Sequence, residues 1–151
     1  NSYNMNIRTV RYFTVYGPRQ RPDMAINIFV NNALFSKPSI VFGDGNQTRD
    51  FTYISDIVSG TIAAAETPNC NGEIFNIGSG NSISVNDLLN NISKITGHME
   101  IKYENKNIGD VDNTLADISK ARSMLNYEPK VGIIEGLSKY KSWCIKKVKK
   151  K

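Results

Sequence analysis

The run GDGNQTRDFTYISD, Gly43 to Asp56, decides how the chain is read. Two glycines frame a tight turn, an aromatic and β-branched stretch (Phe51-Thr52-Tyr53) reads as a strand, and Asp56 opens an alanine-rich helical pattern to Glu66. A turn, a strand and a helix in that order mark an α/β fold. Arg49 stands just before the strand. Its planar guanidinium can hold two oxygens of a phosphate at once, and glycines let a polyanion come close to the backbone. The competing reading is an ion pair with Asp50 or Asp56.

Strand and helix patterns alternate to both sides of this run. Thr9 to Tyr16 (TVRYFTVY) is a buried strand ended by Gly17-Pro18. Pro22 and Asp23 suit the first turn of a helix whose apolar face is Ile26, Phe29, Val30, Ala33 and Leu34. Ser39 to Phe42 is a short strand, Glu73 to Ile77 another, and Glu100 to Tyr103 a third. Ser84-x-x-Asp87 is a capping-box signature ahead of Val85, Leu88, Leu89, Ile92 and Ile95, with Gly97 as the stop. Helices over Ser119 to Leu125 and Ile133 to Val148 complete the chain, separated by Asn126-Tyr127-Glu128-Pro129.

Composition removes several function classes. The chain has 151 residues and a formal charge of +5, but five lysines lie between Lys146 and Lys151, and without them fourteen basic residues balance fourteen acids. A neutral body with a basic end is not a nucleic-acid or acidic-membrane surface. No apolar run is long enough to span a bilayer. Cys70 and Cys144 are far apart and His98 is the sole histidine, so a structural zinc site cannot be assembled. Cys144, beside Trp143 in a helical pattern, reads as a buried inert thiol, and a cytoplasmic protein without disulfides is expected.

Four blocks in order, RYFTVYGPRQRPDMA (Arg11 to Ala25), GDGNQTRDF, FNIGSG (Phe75 to Gly80) and GDVDNTLADISKA (Gly109 to Ala121), carry a more specific signal. Together they resemble the C-terminal half of the extended short-chain dehydrogenase/reductase family, in particular its sugar-nucleotide epimerases and dehydratases. The resemblance covers nearly all of the chain. The family's glycine-rich dinucleotide loop and Tyr-x-x-x-Lys pair have no counterpart here: none of the seven tyrosines has lysine four residues later. The expectation is the C-terminal piece of a longer NAD-dependent enzyme, inactive alone, with no catalytic residue of its own.

The resemblance implies a fold and a set of roles. Residues 1–18 and 72–98 would hold the last strands of a doubly wound Rossmann-type sheet, residues 19–71 and 99–145 a small α/β substrate-binding domain, and 146–151 a basic tail. Arg49 matches the arginine that clamps the diphosphate of a UDP-sugar, Asp110 a carboxylate that bonds the nucleoside, with a solvated loop acid as the competing reading, and Phe42 a position whose backbone faces the uracil, with strand-end core as the competing reading. Tyr12 and Val15 would border the nicotinamide of NAD while Thr14 bonds the sugar; buried core is the competing reading of that strand. Arg21, read at a helix start where orphan N–H groups favour anions, suits a uronate carboxylate; solvating the helix end or pairing with Asp23 is the competing reading. Many relatives carry a second arginine where this chain has Asn107, which can donate a hydrogen bond but brings no charge; Lys102 or Lys106 would compensate. The function implied is a UDP-glucose or UDP-glucuronate 4-epimerase, with a dehydratase or decarboxylase of the same family, or a non-catalytic sugar-nucleotide-binding module, as alternatives. A homodimer through the other half is one open reading of the parent's assembly.

Overall fold

In chain order the elements are β1 (Thr9–Tyr12), β2 (Thr14–Tyr16), α1 (Ala25–Leu34), β3 (Ser39–Phe42), β4 (Thr48–Arg49), β5 (Phe51–Tyr53), α2 (Ile54–Glu66), β6 (Ile74–Ile77), β7 (Ile83–Ser84), α3 (Val85–Thr96), β8 (Ile101–Glu104), α4 (Ser119–Leu125) and α5 (Ile133–Val148). The structure, a computed structural model, describes residues 5–106 and 108–148. It is an α/β fold whose strands pair two by two: β1 with β6, β2 with β5 and β3 with β8 in parallel, and β4 with β7 antiparallel.

The single strand expected over Thr9 to Tyr16 is two strands, broken at Phe13. Tyr12 lies opposite Ile77 of β6, whereas Thr14 lies opposite Phe51 of β5. The exchange takes one residue: the Phe13 N–H donates to the Ile77 carbonyl at 3.3 Å, and the Thr14 N–H to the Asp50 carbonyl at 3.0 Å. Composition shows that both halves are extended and apolar, but pairing partners come from distant segments.

Helix ends follow local chemistry where that chemistry is complete. Ser84 accepts a hydrogen bond from the Asp87 N–H at 3.0 Å and its hydroxyl donates to the Asp87 carboxylate at 2.7 Å, so α3 starts where its capping signature stands. At the other end, Gly97 takes φ +100°, which a side chain would resist. The start of α1 differs from expectation. Pro22 and Asp23 belong to a separate turn closed by Met24 N–H to Arg21 O at 3.3 Å, and the helix begins at Ala25 behind a Met24 cap with no side-chain bond. Arg21 therefore opens that turn rather than standing at a helix N-terminus.

Two apolar clusters hold these elements. The first joins Phe29 and Val30 of α1, Val41 of β3, Leu88, Leu89 and Ile92 of α3, and Leu137 and Tyr140 of α5. The second joins Ile57 and Ala64 of α2, Phe75 and Ile77 of β6, Ala121 and Leu125 of α4, and Tyr127. Each of the large aliphatic and phenylalanine side chains among them contributes about 1.5–3 kcal/mol by leaving water. α3, grouped by sequence with residues 72–98 of the nucleotide-binding sheet, packs on α1 and α5; α4, grouped with 99–145, packs on β6. β1 packs on the second cluster through Val10, whereas β2, past the switch at Phe13, reaches both, with Tyr16 in the first and Val15 against the second.

Candidate functional site

The site is built where β3 ends. Gly43 and Gly45 take φ +84° and +77°, and Asp44 between them accepts the Asn46 N–H at 2.9 Å, closing a turn into β4. That N–H bond, with the Asn46 amide beside it, holds the Asp44 carboxyl below the usual carboxylate range. The extended segment after Gly109 then lies along β4: Thr48 N–H donates to Asp112 O at 2.8 Å, and Thr114 N–H to Thr48 O at 3.1 Å. This brings Asp110 to Arg49 across 61 residues, Nη2 to Oδ1 at 2.5 Å. The other arm of the guanidinium, Nη1, donates to the carbonyls of Thr48 at 2.9 Å and Asp112 at 3.3 Å. Neither Asp50 nor Asp56 is the partner. Asp50 is buried and bonded elsewhere, and Asp56 accepts the Val131 N–H at 3.0 Å. The Arg49 and Asp110 side chains stay 17% and 34% exposed, so the pair is fixed yet open to solvent.

Arg49 and Asp110 face a cleft of about 400 Å³ that also takes in Thr14, Phe42, Met24 and Gln47. Four of the residues singled out from sequence, Thr14, Phe42, Arg49 and Asp110, thus line one cavity. A neighbouring cleft of about 390 Å³ is lined by Val15 and Arg21 and shares Thr14 and Met24 with the first. Arg21 pairs with Asp23 at 3.1 Å, both side chains well exposed at 74% and 65%. Tyr12 lines neither cleft, and its hydroxyl lies 2.9 Å from that of Thr61 on α2. The compensating lysines are both engaged, Lys102 with Glu100 at 3.2 Å and Lys106 with Asp112. Asn107 lies outside the described residues.

Two residues escaped the sequence reading. Gln47 donates from its amide to the Phe42 carbonyl at 2.8 Å and so occupies the backbone acceptor at the end of β3. Its place two residues before Arg49, on the same side of an extended chain, was the available signal. Asp50 is wholly buried, and no local pattern marks its partners. The buried tyrosines are not candidate bases: burial pushes the hydroxyls of Tyr16, Tyr127 and Tyr140 above their ordinary range, so they stay protonated near neutrality. Cys144 is buried as expected, its thiol likewise pushed up by burial.

A partly exposed arginine held by its neighbours, with a carboxylate beside it at one partly apolar cleft, suits an anionic ligand. Comparison with known proteins identifies the family. The model of the NAD dependent epimerase/dehydratase family matches residues 1–78, slightly more than half of the chain. The chain belongs to this family. It is 46% identical over 143 residues to the UDP-glucuronate 4-epimerase of Thermodesulfobacterium geofontis, covering 93% of this chain and 44% of that protein. Among solved structures, the Bacillus cereus UDP-glucuronic acid 4-epimerase in complex with UDP-glucuronic acid and NAD superposes with a TM-score of 0.91 at 44% identity, over 97% of this chain and 47% of that one. The Thermotoga maritima UDP-glucose 4-epimerase with UDP-glucose gives 0.88 at 36% identity, over 93% and 46%. The chain spans about half the length of the relatives it matches. Among the described residues no helix is long and apolar enough to cross a membrane.

Proposed function

We propose that this chain is the sugar-nucleotide-holding portion of an NAD-dependent 4-epimerase acting on UDP-glucuronate or UDP-glucose. The observation that carries the reading is the convergence of Thr14, Phe42, Arg49 and Asp110 on one cleft. A diphosphate entering it meets the Arg49 fork and displaces the Asp110 carboxylate, which is then free to accept a hydrogen bond from a ribose hydroxyl. The uracil lies against Phe42 and Gln47. Beyond the diphosphate the sugar reaches Thr14, where the two clefts meet, and Arg21 supplies a positive charge for a uronate carboxylate. The two clefts adjoin at Thr14 and Met24, so one extended ligand can reach both.

For the cofactor the described residues offer a wall and not a cradle: Val15 lines the open cleft, while the glycine-rich loop that would hold the pyrophosphate is not in this sequence. Bound against this wall, NAD would supply the hydride-transfer chemistry at the sugar carbon. What this chain does for that chemistry is hold and orient the substrate, because the tyrosine-lysine pair that would move the hydroxyl proton is not in its sequence either. The chain alone is expected to bind UDP without turning over a UDP-sugar. Two free, buried cysteines suit a reducing compartment, and the reading places the protein in the cytoplasm. Calorimetric titration of the intact enzyme with UDP, beside its Arg49→Ala variant, tests the reading; equal affinity in a folded variant sinks it.

A further inference from the structure

Asp50 follows Arg49 directly, and because successive side chains of an extended chain alternate, it points away from the cleft. Its Oδ1 accepts from the Thr52 hydroxyl at 2.9 Å and from the Ser79 N–H and hydroxyl at 2.8 and 2.7 Å. Its Oδ2 accepts from the Gly80 N–H at 3.0 Å and the Ala116 N–H at 3.2 Å. None of the ion pairs formed by the described residues includes it. A buried anion with only dipolar partners is an expensive way to close a loop, so the five acceptor contacts must do something a neutral residue cannot. Asparagine keeps one acceptor oxygen, and its NH₂ would confront the N–H groups of Gly80 and Ala116.

Those donors belong to two segments that frame the cleft from behind. Ser79 and Gly80 follow β6; Ala116 ends the segment whose start carries Asp110. The same segment is fastened a second time, where the Asp50 N–H donates to the Thr114 hydroxyl at 3.4 Å. On the other side the Asp50 carbonyl accepts the Thr14 N–H. Packing here is tight: a methyl group on Gly78 would meet Ala116 and the Asp50 carboxylate. Thr14, Arg49 and Asp110, which line the cleft, are therefore all referred to this one residue behind it.

We propose that Asp50 is a positioning residue for nucleotide binding: its carboxylate ties Ser79, Gly80 and Ala116 together and so sets the segment that holds Asp110 against Arg49. The proposal rests on the nucleotide reading of that cleft. UDP affinity of the intact enzyme, measured by calorimetry for Asp50→Asn, Arg49→Ala and the double variant, tests it. Asp50→Asn should weaken UDP binding about ten-fold in the parent and less than about two-fold once Arg49 is alanine, because the anchored segment then has no guanidinium to be set against. A residue that serves stability alone lowers the melting temperature and gives losses that multiply across the two sites; that outcome overturns the proposal while leaving the nucleotide reading intact. Should Asp50→Asn fail to fold, Ser79→Ala, which removes one hydroxyl donor, should show the same dependence on Arg49 at smaller scale, and a multiplicative loss there overturns it equally. If the unmodified enzyme does not bind UDP, the reading and the proposal fall together.

Discussion

Arg49 and Arg21 were read from the sequence as two anion-binding arginines, and the fold treats them differently. Arg49 is 17% exposed and its two arms meet three acceptors drawn from β4 and a segment more than sixty residues away. Arg21 is 74% exposed and meets an acid two residues on, within its own turn. The first is held before any ligand arrives, so little side-chain entropy remains to be lost on binding; the second is a solvated pair of the kind that contributes about 0–1 kcal/mol. Preorganisation, more than charge, separates the two.

The largest expected effect tests the ordered member. Arg49→Ala should weaken UDP binding by about ten- to a hundred-fold, the worth of a charge-assisted bidentate contact of roughly 1.5–3 kcal/mol, and Arg49→Lys should recover only part, since lysine keeps the charge without the fork. Calorimetry with UDP reads both. Next comes Arg21→Ala, for which kcat/KM on UDP-glucuronate should fall about ten-fold while UDP-glucose is nearly unaffected. Equal losses on the two sugars would reassign Arg21 to the fold and dissolve the contrast.

A smaller effect sharpens the same comparison from the acid side. Asp23→Asn should shift stability by less than about 0.5 kcal/mol in thermal unfolding, because the pair it breaks is exposed. A larger drop would mean that the turn over residues 21–24 depends on that pair. The smallest effect belongs to the turn ahead of Arg49. The Asn46 N–H lowers the Asp44 carboxyl in the folded state, so its contribution is present above the unfolded carboxylate pKa of about 4 and is lost as pH falls through the lowered folded value. Compared with Asp44→Asn, the parent should lose slightly more stability on acidification below about pH 4, visible in urea melts at stepped pH. Curves that stay parallel to the lowest pH would show that the bond leaves the carboxyl unshifted.

Much of the fold was legible because it is written in short-range chemistry. The bounds of α4 and α5 coincide with the periodic patterns, and α3 starts at its Ser84 cap and stops at Gly97. Such signals act between residues three or four apart and need no knowledge of the rest of the chain. The start of α1 was misread since Pro22 and Asp23 favour any first turn, including one that is not continued into the helix. Of the candidate site residues, Thr14, Phe42, Arg49 and Asp110 share a cleft, Val15 and Arg21 share the next, and Tyr12 lines neither.

By itself the sequence determined the residue types able to hold a phosphate, the α/β alternation that would carry them, and the turns that end each element. Only the tertiary structure decided that the strand through Phe13 changes partner, that Asp110 rather than Asp50 or Asp56 meets Arg49, and that Asp50 is the anchor behind the cleft. The physical reason is the range of the interactions. Capping and periodicity are satisfied inside one segment, whereas a buried carboxylate must collect its donors from wherever the packed chain delivers them, here from residues 29 to 66 positions away as well as from Thr52 two residues on.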